Sequence, residues 1–315
     1  MPSSSQIKLA EKIFSDAAER SKFLDSLERK TDLPAALVWK SSATRSESPF
    51  SSIPMPDAFP DFVQLVDRGE QPGTHSLHDQ GAYYILDPSS VWESLVLCQV
   101  PGPVRNLLDV CAAPGGKSVL ASAILKPQML VANEVVQNRL RILISNMKRM
   151  NLRPVRVLSA DVEPLAQRFF ETMDLVLVDA PCSGQSLKVK GKSNPGAFHS
   201  STISGNAKRQ KRIIAEAGKC VSPGGYLAYM TCTFSPDENE KIIEWFLKRF
   251  PDFECVEVTA LQSFKSTLSE TVHAYRFWPH QAPLAGGFTC LLRKNGTPGP
   301  TPELNQISCA WKADD

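Results

Sequence analysis

Short apolar runs alternate with helix-like segments across the middle of the chain. The runs cover residues 106–111, 129–134, 155–160, 174–179 and 225–231. Near-continuous apolar character over five or six residues predicts parallel strands buried on both faces. Segments with helical periodicity separate them, at 117–125, 137–150, 163–170, 206–220 and 236–249, and a last strand is predicted at 287–293. This alternation predicts an α/β fold with a doubly wound, Rossmann-like sheet.

The first hundred residues show a less regular pattern. Polar helices are predicted within 5–31, a short strand within 33–42, a Ser/Pro-rich irregular connector over 41–60, and a strand, a turn at Asp87-Pro88 and a helix within 81–98. We therefore expect three segments: an N-terminal helical, α+β module over 1–100, the sheet domain over 101–294, and a flexible Pro/Gly-rich tail over 295–315.

The amino-acid composition indicates the cellular compartment of the protein but says little about its function. The net charge of +2 is too small to argue for a polyanionic partner, which local clustering must supply instead. Neither a signal peptide nor a membrane-length apolar stretch is evident. The eight cysteines include no Cys-x-x-Cys pair, which makes a disulfide framework or a zinc site improbable. We expect a monomer in the reducing cytoplasm, without a metal ion.

The first predicted sheet strand runs into a loop of small residues, Asp109 to Ser118. Small residues after a buried strand let the backbone turn tightly and approach a ligand at the carboxyl end of the sheet. The Gly-Gly-Lys-Ser ending resembles a phosphate-binding loop, but Cys111 stands where such a loop requires glycine. The loop therefore favours a nucleoside-type ligand over a triphosphate.

Three carboxylates follow successive predicted strands. Glu134 ends the second strand, Asp161 follows the third, and Asp179 ends the fourth. An acidic residue in the position of Glu134 commonly binds a ribose hydroxyl pair. A helix cap or a solvated loop carboxylate is the alternative for any single one of them. Their common placement on one rim favours a ligand.

Two cysteines lie at strand-to-loop junctions on the same rim, Cys182 after the fourth strand and Cys232 at the end of the fifth. A thiolate that adds to carbon 6 of cytosine activates carbon 5 toward an electrophilic methyl group, and a base must then remove the carbon 5 proton. Asp179 is the candidate acid near ring nitrogen 3 if it holds or shares a proton. Spacing alone does not decide which thiol attacks. Other cysteines are interpreted as core side chains, namely Cys98, Cys220, Cys255 and Cys290.

The motifs together resemble the Nop/Sun family of RNA cytosine-5 methyltransferases, over about residues 80–293. The matching positions are Tyr84 to Ser90, Asp109 to Lys117, Glu134, Arg139, Asn146, Asp161, Asp179 to Gly184, Asn194-Pro195, Gln210, Gly224-Gly225, Tyr229 to Thr233, and Glu238-Asn-Glu240, the last placed on a helix. The resemblance implies a fold that binds S-adenosylmethionine and methylates carbon 5 of a cytosine in RNA.

The resemblance also assigns roles to individual residues. It implies that Cys232 is the nucleophile and that Cys182 assists product release, whereas DNA cytosine-5 methyltransferases attack with the Pro-Cys thiol. The implied cofactor residues are Cys111, Ala112, Ala113, Pro114, Gly115, Gly116, Lys117, Glu134, Arg139, Asp161 and Asp179. Bacterial relatives often carry an additional RNA-binding domain, and the sequence indicates none here. The N-terminal helical, α+β module over 1–100 is instead expected to bind RNA.

A basic segment follows the Pro-Cys motif. Its cations are Lys188, Lys190, Lys192, Lys208, Arg209, Lys211 and Arg212, with no acidic residue between Gln185 and Arg212. Clustered cations neutralise phosphates, which predicts RNA contacts, although a solvated helix face explains the last four equally simply. Ribosomal RNA is the expected substrate. The alternatives are transfer RNA, methylation of nitrogen or of DNA, and a ribosome-assembly factor without catalysis.

Overall fold

A computed structural model describes residues 2–28, 33–192, 194–297, 299, 302–304 and 307–314. Its helices are α1 (Ser4–Ile13), α2 (Ala17–Glu28), α3 (Ser42–Ser46), α4 (Ser76–Asp79), α5 (Pro88–Ser94), α6 (Gly116–Leu125), α7 (Gln137–Met150), α8 (Val162–Arg168), α9 (Ser200–Cys220) and α10 (Glu240–Arg249). Its strands are β1 (Ala35–Trp39), β2 (Val63–Val66), β3 (Tyr83–Leu86), β4 (Asn106–Asp109), β5 (Met129–Asn133), β6 (Val155–Leu158), β7 (Met173–Asp179), β8 (Val221–Thr231), β9 (Phe253–Cys255), β10 (Ala274–Phe277), β11 (Gly287–Lys294) and β12 (Trp311–Ala313).

The large sheet has the order β10-β11-β8-β7-β4-β5-β6-β12, with β9 paired to β11. The five strands from β8 to β6 are parallel, whereas β10, β11, β9 and β12 pair antiparallel. The direction of strand order reverses between β4 and β7, so the carboxyl ends of β4, β7 and β8 share one rim. This arrangement confirms the predicted α/β fold with a doubly wound, Rossmann-like sheet.

Alternate residues of the parallel strands enter two separate cores. Leu107 faces a cluster that includes α6 and α7 residues, whereas Leu108 faces a cluster with α8, α9 and α10 residues. Both leucines are completely buried. Burial on both faces explains why these strands are continuously apolar in the sequence.

The N-terminal residues form a three-stranded antiparallel sheet, β2-β1-β3, and two helices. One face of β1 joins the core beneath α6 and α7, and Phe23 of α2 packs against Phe234, beyond β8. Helix α5, which precedes the boundary predicted at residue 100, contacts α6 and β11. The N-terminal region thus forms part of the wall behind the sheet rim.

Some predicted elements need correction. The tail predicted to be flexible contains β12, which pairs with β6, and Arg156 bonds Asp314. The connector predicted as irregular contains α3, a single turn whose Ser41 cap bonds the Thr44 N–H at 3.1 Å. Helix α10 begins at Glu240 rather than at 236, because residues 236–239 form a turn. Within the described residues, no helix has the length and apolar character needed to cross a membrane.

Candidate active site

The loop between β4 and α6 lies at the sheet rim and packs closely against neighbouring side chains. Gly115 has φ of 111°, a value that glycine adopts without strain, and a Cβ on Gly116 would collide with Leu86. At its start, Asp109 is fully buried and accepts a hydrogen bond from Ser118 Oγ at 2.6 Å. Burial raises the pKa of Asp109 to about 7. The glycines therefore allow a close backbone approach that side chains would block.

Side chains from other elements fix the carbonyls of this loop. The Pro114 carbonyl accepts hydrogen bonds from Asn146 Nδ2 at 2.8 Å and from the Tyr84 hydroxyl at 3.3 Å. The Ala113 carbonyl accepts a bond from Arg139 Nη2 at 2.5 Å. Buried Ala112 lies between this residue and Cys111, whose thiol pKa is raised mainly by burial. The loop is thus rigid before any ligand arrives.

Glu134 follows β5 with only 3% of its side chain exposed. Its Oε1 accepts a hydrogen bond from the Val136 N–H at 2.9 Å, and its Oε2 lies 3.1 Å from Arg139 Nη1. No described group donates a hydrogen bond to Oε2 within good geometry. An oxygen in this state, beside a glycine cradle, fits the hydroxyl pair of a nucleoside ribose.

Asp161 occupies a more exposed position than Glu134. Its carboxylate caps α8 by accepting a bond from the Val162 N–H at 2.7 Å, and Arg212 contacts both its oxygens at 3.2 Å. The cap and this arginine lower its pKa. The helix-cap interpretation therefore has direct support. With 49% of the side chain exposed, the carboxylate remains at the rim as a cofactor candidate.

The two predicted cysteines meet on the rim. The Sγ atoms of Cys182 and Cys232 are 3.3 Å apart. A hydrogen bond from Cys182 lowers the pKa of Cys232 against the opposing effects of burial and Asp179, with help from Lys117 and Lys190. The same bond, with burial, raises the pKa of Cys182. The ammonium groups of Lys117 and Lys190 therefore favour a thiolate on Cys232, with Cys182 as the thiol that donates to it.

A chain of three ionisable side chains, Glu93, Lys117 and Asp179, lies behind Cys232. Lys117 Nζ is 2.9 Å from Glu93 Oε2 and 2.9 Å from Asp179 Oδ2. Burial lowers the pKa of Lys117, but the two carboxylates outweigh burial and raise it overall. One ammonium cannot compensate two carboxylates, and Glu93 is the more buried. Burial, opposed by Lys117, therefore raises the pKa of Glu93 to about 8. Lys117, predicted as a cofactor residue, thus directs its charge toward the thiols.

Glu238 joins the two loops that carry the cysteines. It is fully buried, and its carboxylate accepts hydrogen bonds from the Ser183 N–H at 2.8 Å and from Ser183 Oγ at 2.6 Å. Gln210 donates another at 3.2 Å and Thr233 a fourth at 3.2 Å. Burial raises the pKa of Glu238 despite these donors. One carboxylate thus fixes the spacing between Cys182 and Cys232.

The cations predicted to bind RNA occupy different environments. Lys188 pairs with Glu28 at 2.9 Å, Lys190 with Asp87 at 3.2 Å, and Arg212 with Asp161. Lys211 Nζ lies 5.4 Å from the centre of the Trp245 ring. The three remaining cations are exposed and form no ion pair with any residue the structure describes: Lys192, Lys208 and Arg209. The segment is therefore divided between structural ion pairs and free surface charge.

Comparison with known proteins matches this architecture to one family. The model of the 16S rRNA methyltransferase RsmB/F family matches residues 97–293. The chain is 30% identical over 248 residues to ribosomal RNA small subunit methyltransferase F of Shewanella amazonensis, a match covering 78% of this chain and 53% of that protein. The chain belongs to the RsmB/F family. It spans about half the length of the curated relatives it matches.

Two solved structures share the fold of this chain. A methyltransferase homolog from Pyrococcus horikoshii superposes with a TM-score of 0.70 at 23% identity, covering 93% of this chain and 99% of that one. NSun6 from Pyrococcus horikoshii with SFG gives 0.75 at 16% identity, with coverage of 94% and 99%. These likenesses extend over the N-terminal region that precedes the family match.

Sequence analysis missed Glu93 in this RsmB/F-family chain and misplaced Glu238. Glu93 is the only charged residue between Pro88 and Pro101. A single carboxylate in an apolar segment was a usable signal, because such groups are rarely buried without a partner. Glu238 was expected on a helix, whereas it lies in the turn before α10. A turn lets its carboxylate point back toward Ser183, which a continued helix would prevent.

Proposed function

We propose that this protein transfers a methyl group from S-adenosylmethionine to carbon 5 of a cytosine in RNA through a covalent Cys232 adduct. The observation that carries the proposal is the thiol pair, whose Sγ atoms are 3.3 Å apart, with the Lys117 ammonium favouring the thiolate of Cys232. Methylation of an exocyclic nitrogen needs no nucleophilic thiol. Two reduced thiols are required, which agrees with a cytoplasmic setting.

The β4–α6 loop and Glu134 are the groups that fit the cofactor. Glu134 Oε2 has no hydrogen-bond donor among the described residues and is free to accept from a ribose hydroxyl, and the glycines let the backbone lie close to the ligand. When bound, S-adenosylmethionine supplies an electrophilic methyl group. Arg139 holds both Glu134 and the Ala113 carbonyl, so it supports the cofactor residues from behind. Asp161 and Asp179 complete the rim around the expected adenosine position.

Addition by Cys232 begins the reaction. The thiolate forms a bond to carbon 6 of the cytosine, and the electron pair of the 5,6 double bond moves into the ring. Negative charge then develops toward ring nitrogen 3 and the carbonyl oxygen. The Lys117 ammonium, whose Nζ lies 2.9 Å from Asp179 Oδ2, can stabilise that charge. Asp179 orients this ammonium beside the thiols.

Cys182 completes the reaction as the base. While Cys232 is a thiolate, its hydrogen bond and charge raise the pKa of Cys182, along with burial. Once Cys232 sulfur is bonded to carbon, that charge is gone and Cys182 releases its proton to solvent more easily. After carbon 5 has bonded the methyl group that S-adenosylmethionine would supply, the Cys182 thiolate takes the proton from carbon 5. The electron pair of that C–H bond re-forms the 5,6 double bond, the carbon 6–sulfur bond breaks, and Cys232 leaves as a thiolate. Addition by Cys232 therefore comes before proton removal by Cys182, because Cys182 becomes a thiolate only after the negative charge on Cys232 is gone.

Ribosomal RNA is the proposed substrate, because the family name and the curated relatives refer to it. The target base must leave its stack to reach a thiol on the rim. Lys192, Lys208 and Arg209 are the predicted RNA ligands that hold no intramolecular ion pair within the described chain. Of the seven predicted cations, these three are the ones we assign to phosphate binding.

Covalent trapping tests this function. Wild type, Cys182→Ala and Cys232→Ala are incubated with unmodified 16S rRNA transcript and S-adenosylmethionine, and adducts are resolved on a denaturing gel. Cys182→Ala accumulates a protein–RNA adduct because addition proceeds while elimination stalls, and Cys232→Ala forms none. Adducts in Cys232→Ala alone would reverse the two roles. Bisulfite sequencing of the wild-type reaction identifies the modified cytosine and tests carbon 5 as the acceptor.

A further inference from the structure

A groove lies between α1, α9 and the start of α10, outside the methyl-transfer centre. Its volume is about 730 Å³. The charged residues that line it are Lys8, Lys12, Lys208, Lys211, Lys241 and Asp237. We call these five lysines and one aspartate the lysine groove. Only two of its lysines belong to the basic segment found in the sequence.

The positive charge of the lysine groove is largely uncompensated. Asp237 contacts both Lys12, at 2.5 Å, and Lys241, at 2.7 Å, so one carboxylate serves two ammonium groups. Lys8 and Lys208 are exposed and form no ion pair within the described chain. Four positive charges thus remain in one groove. Folding brings them together from separate parts of the chain, which costs repulsion unless a polyanion occupies the groove.

The lysine groove also contains serine hydroxyls, and it adjoins a second cavity that reaches the catalytic loops. The hydroxyls of Ser5, Ser200 and Ser204 also line the groove and can donate to phosphate oxygens. An adjoining cavity of about 320 Å³ shares Ser5 and Phe198 with it and reaches Gly184 and Gln185.

Gln185 belongs to the catalytic loops. Its Oε1 accepts a hydrogen bond from the Phe234 N–H at 2.8 Å, and the neighbouring Ser186 N–H bonds the Cys232 carbonyl at 3.2 Å. Lys192 lines the adjoining cavity as well. The adjoining cavity thus links the lysine groove to the loop whose backbone contacts Cys232.

We propose that the lysine groove binds the sugar–phosphate backbone of a single-stranded stretch of RNA next to the target cytosine, with α1 contributing Lys8 and Lys12. This inference rests on the proposed function for its choice of RNA as the polyanion. A groove of this volume with dispersed ammonium groups suits successive phosphates rather than one anion. The N-terminal helix is then part of the RNA site and not only a support for the catalytic loops.

Salt-dependent RNA binding tests the groove. The probe is a fluorescein-labelled, single-stranded RNA of mixed sequence, 20 nucleotides in length, and binding is followed by anisotropy across a salt series. Each lost phosphate contact reduces the slope of log K against log salt by about 0.7, so Lys8→Gln/Lys208→Gln should flatten it by about 1.4. The same relation gives roughly 25-fold weaker binding at 0.1 M salt. The matched control is Lys126→Gln/Lys265→Gln, two exposed lysines outside both cavities, which should keep the wild-type slope.

The outcomes separate the groove from the proposed function. An unchanged slope in Lys8→Gln/Lys208→Gln overturns the groove, as does an equal loss in the control pair. An unchanged slope would mean that the lysine groove binds a polyanion other than RNA, such as an acidic protein. Methyl incorporation into 16S rRNA transcript by wild type is measured separately. If it is absent while the slope changes as expected, the proposed reaction fails and the RNA groove stands.

Discussion

Two pairs of cysteines lie on or beside strands of the large sheet, with similar spacing and opposite expected roles. The Sγ atoms of Cys182 and Cys232 are 3.3 Å apart, and those of Cys255 and Cys290 are 3.9 Å apart. In each pair a hydrogen bond between thiols lowers the pKa of one member, Cys232 or Cys255, and burial helps to raise the pKa of the other. Thiol proximity therefore does not distinguish a catalytic pair.

Charge and position make the difference. Lys117 and Lys190 help to lower the pKa of Cys232, whereas Cys290, burial and a backbone group of His273 act on Cys255, with no cation among them. Cys290 is fully buried within the antiparallel part of the sheet, away from the rim shared by β4, β7 and β8. A nucleophile needs a cation that favours the thiolate and a surface that admits its substrate. Only the first pair has both.

Replacing one thiol in each pair gives the largest expected contrast. Cys232→Ala should reduce methyl transfer to RNA by about 10⁴-fold or more, because the covalent route is lost. Cys290→Ala should leave the rate within about two-fold and cost about 1 kcal/mol of stability through a small cavity. Radiolabelled methyl incorporation and urea unfolding measure the two effects. Comparable loss of activity in both variants would mean that the second pair contributes to catalysis.

A carboxylate lies near each cysteine pair, and removing it should have an effect of intermediate size on the free energy of unfolding. Glu238→Ala leaves the Ser183 N–H and hydroxyl without their buried acceptor, so we expect a loss of about 3 kcal/mol in the free energy of unfolding. The control is Glu254→Ala. Glu254 is next to Cys255, and its exposed carboxylate lies 3.6 Å from Arg293 Nη1. That change should cost no more than about 0.5 kcal/mol. Equal urea midpoints for the two variants would show that Glu238 does not hold the catalytic loops together.

Lys117 gives the smallest and most specific test. Removing its ammonium disfavours the thiolate, so Lys117→Met should raise the pKa of Cys232. A rise of about one unit slows alkylation of Cys232 by iodoacetamide about ten-fold near neutral pH. Peptide mass spectrometry across a pH series separates Cys232 from Cys255, whose rate should not change. Lys126→Met, at the C-terminal cap of the same helix, should leave both profiles as in wild type. A Cys232 profile that does not move would remove Lys117 from thiol activation.

Local pattern predicted the parallel strands and the antiparallel strand β11, whereas the antiparallel strands β9, β10 and β12 were not predicted. Strands β4, β5, β6 and β7 were found because burial on both faces makes their sequences continuously apolar. Strand β12 was missed because it lies at an edge, where all three residues are at least partly exposed and its pairing with β6 supplies the order. Edge strands depend on a distant partner, and their own periodicity is weak.

The site was predictable to the extent that its residues lie in strand-end motifs. Cys182, Cys232 and Asp179 were placed together correctly because parallel strands end on one rim. Asp161 was expected beside the cofactor, and its contacts with Val162 and Arg212 depend on a helix start and on α9 packing. Glu93 comes from outside the sheet. Nothing in the local sequence pairs it with Lys117.

The sequence by itself determined the order of strands and helices, the glycine loop, and the presence of two thiols at neighbouring strand ends. These features depend on residue spacing and on burial, and both are visible in the sequence as a periodic pattern of apolar residues. Tertiary structure decided which thiol carries the charge, because Lys117, Lys190 and Glu238 reach the pair from different elements. It also decided that α1 lysines join those of α9. Electrostatic energies depend on distances between remote residues, and only folding sets those distances.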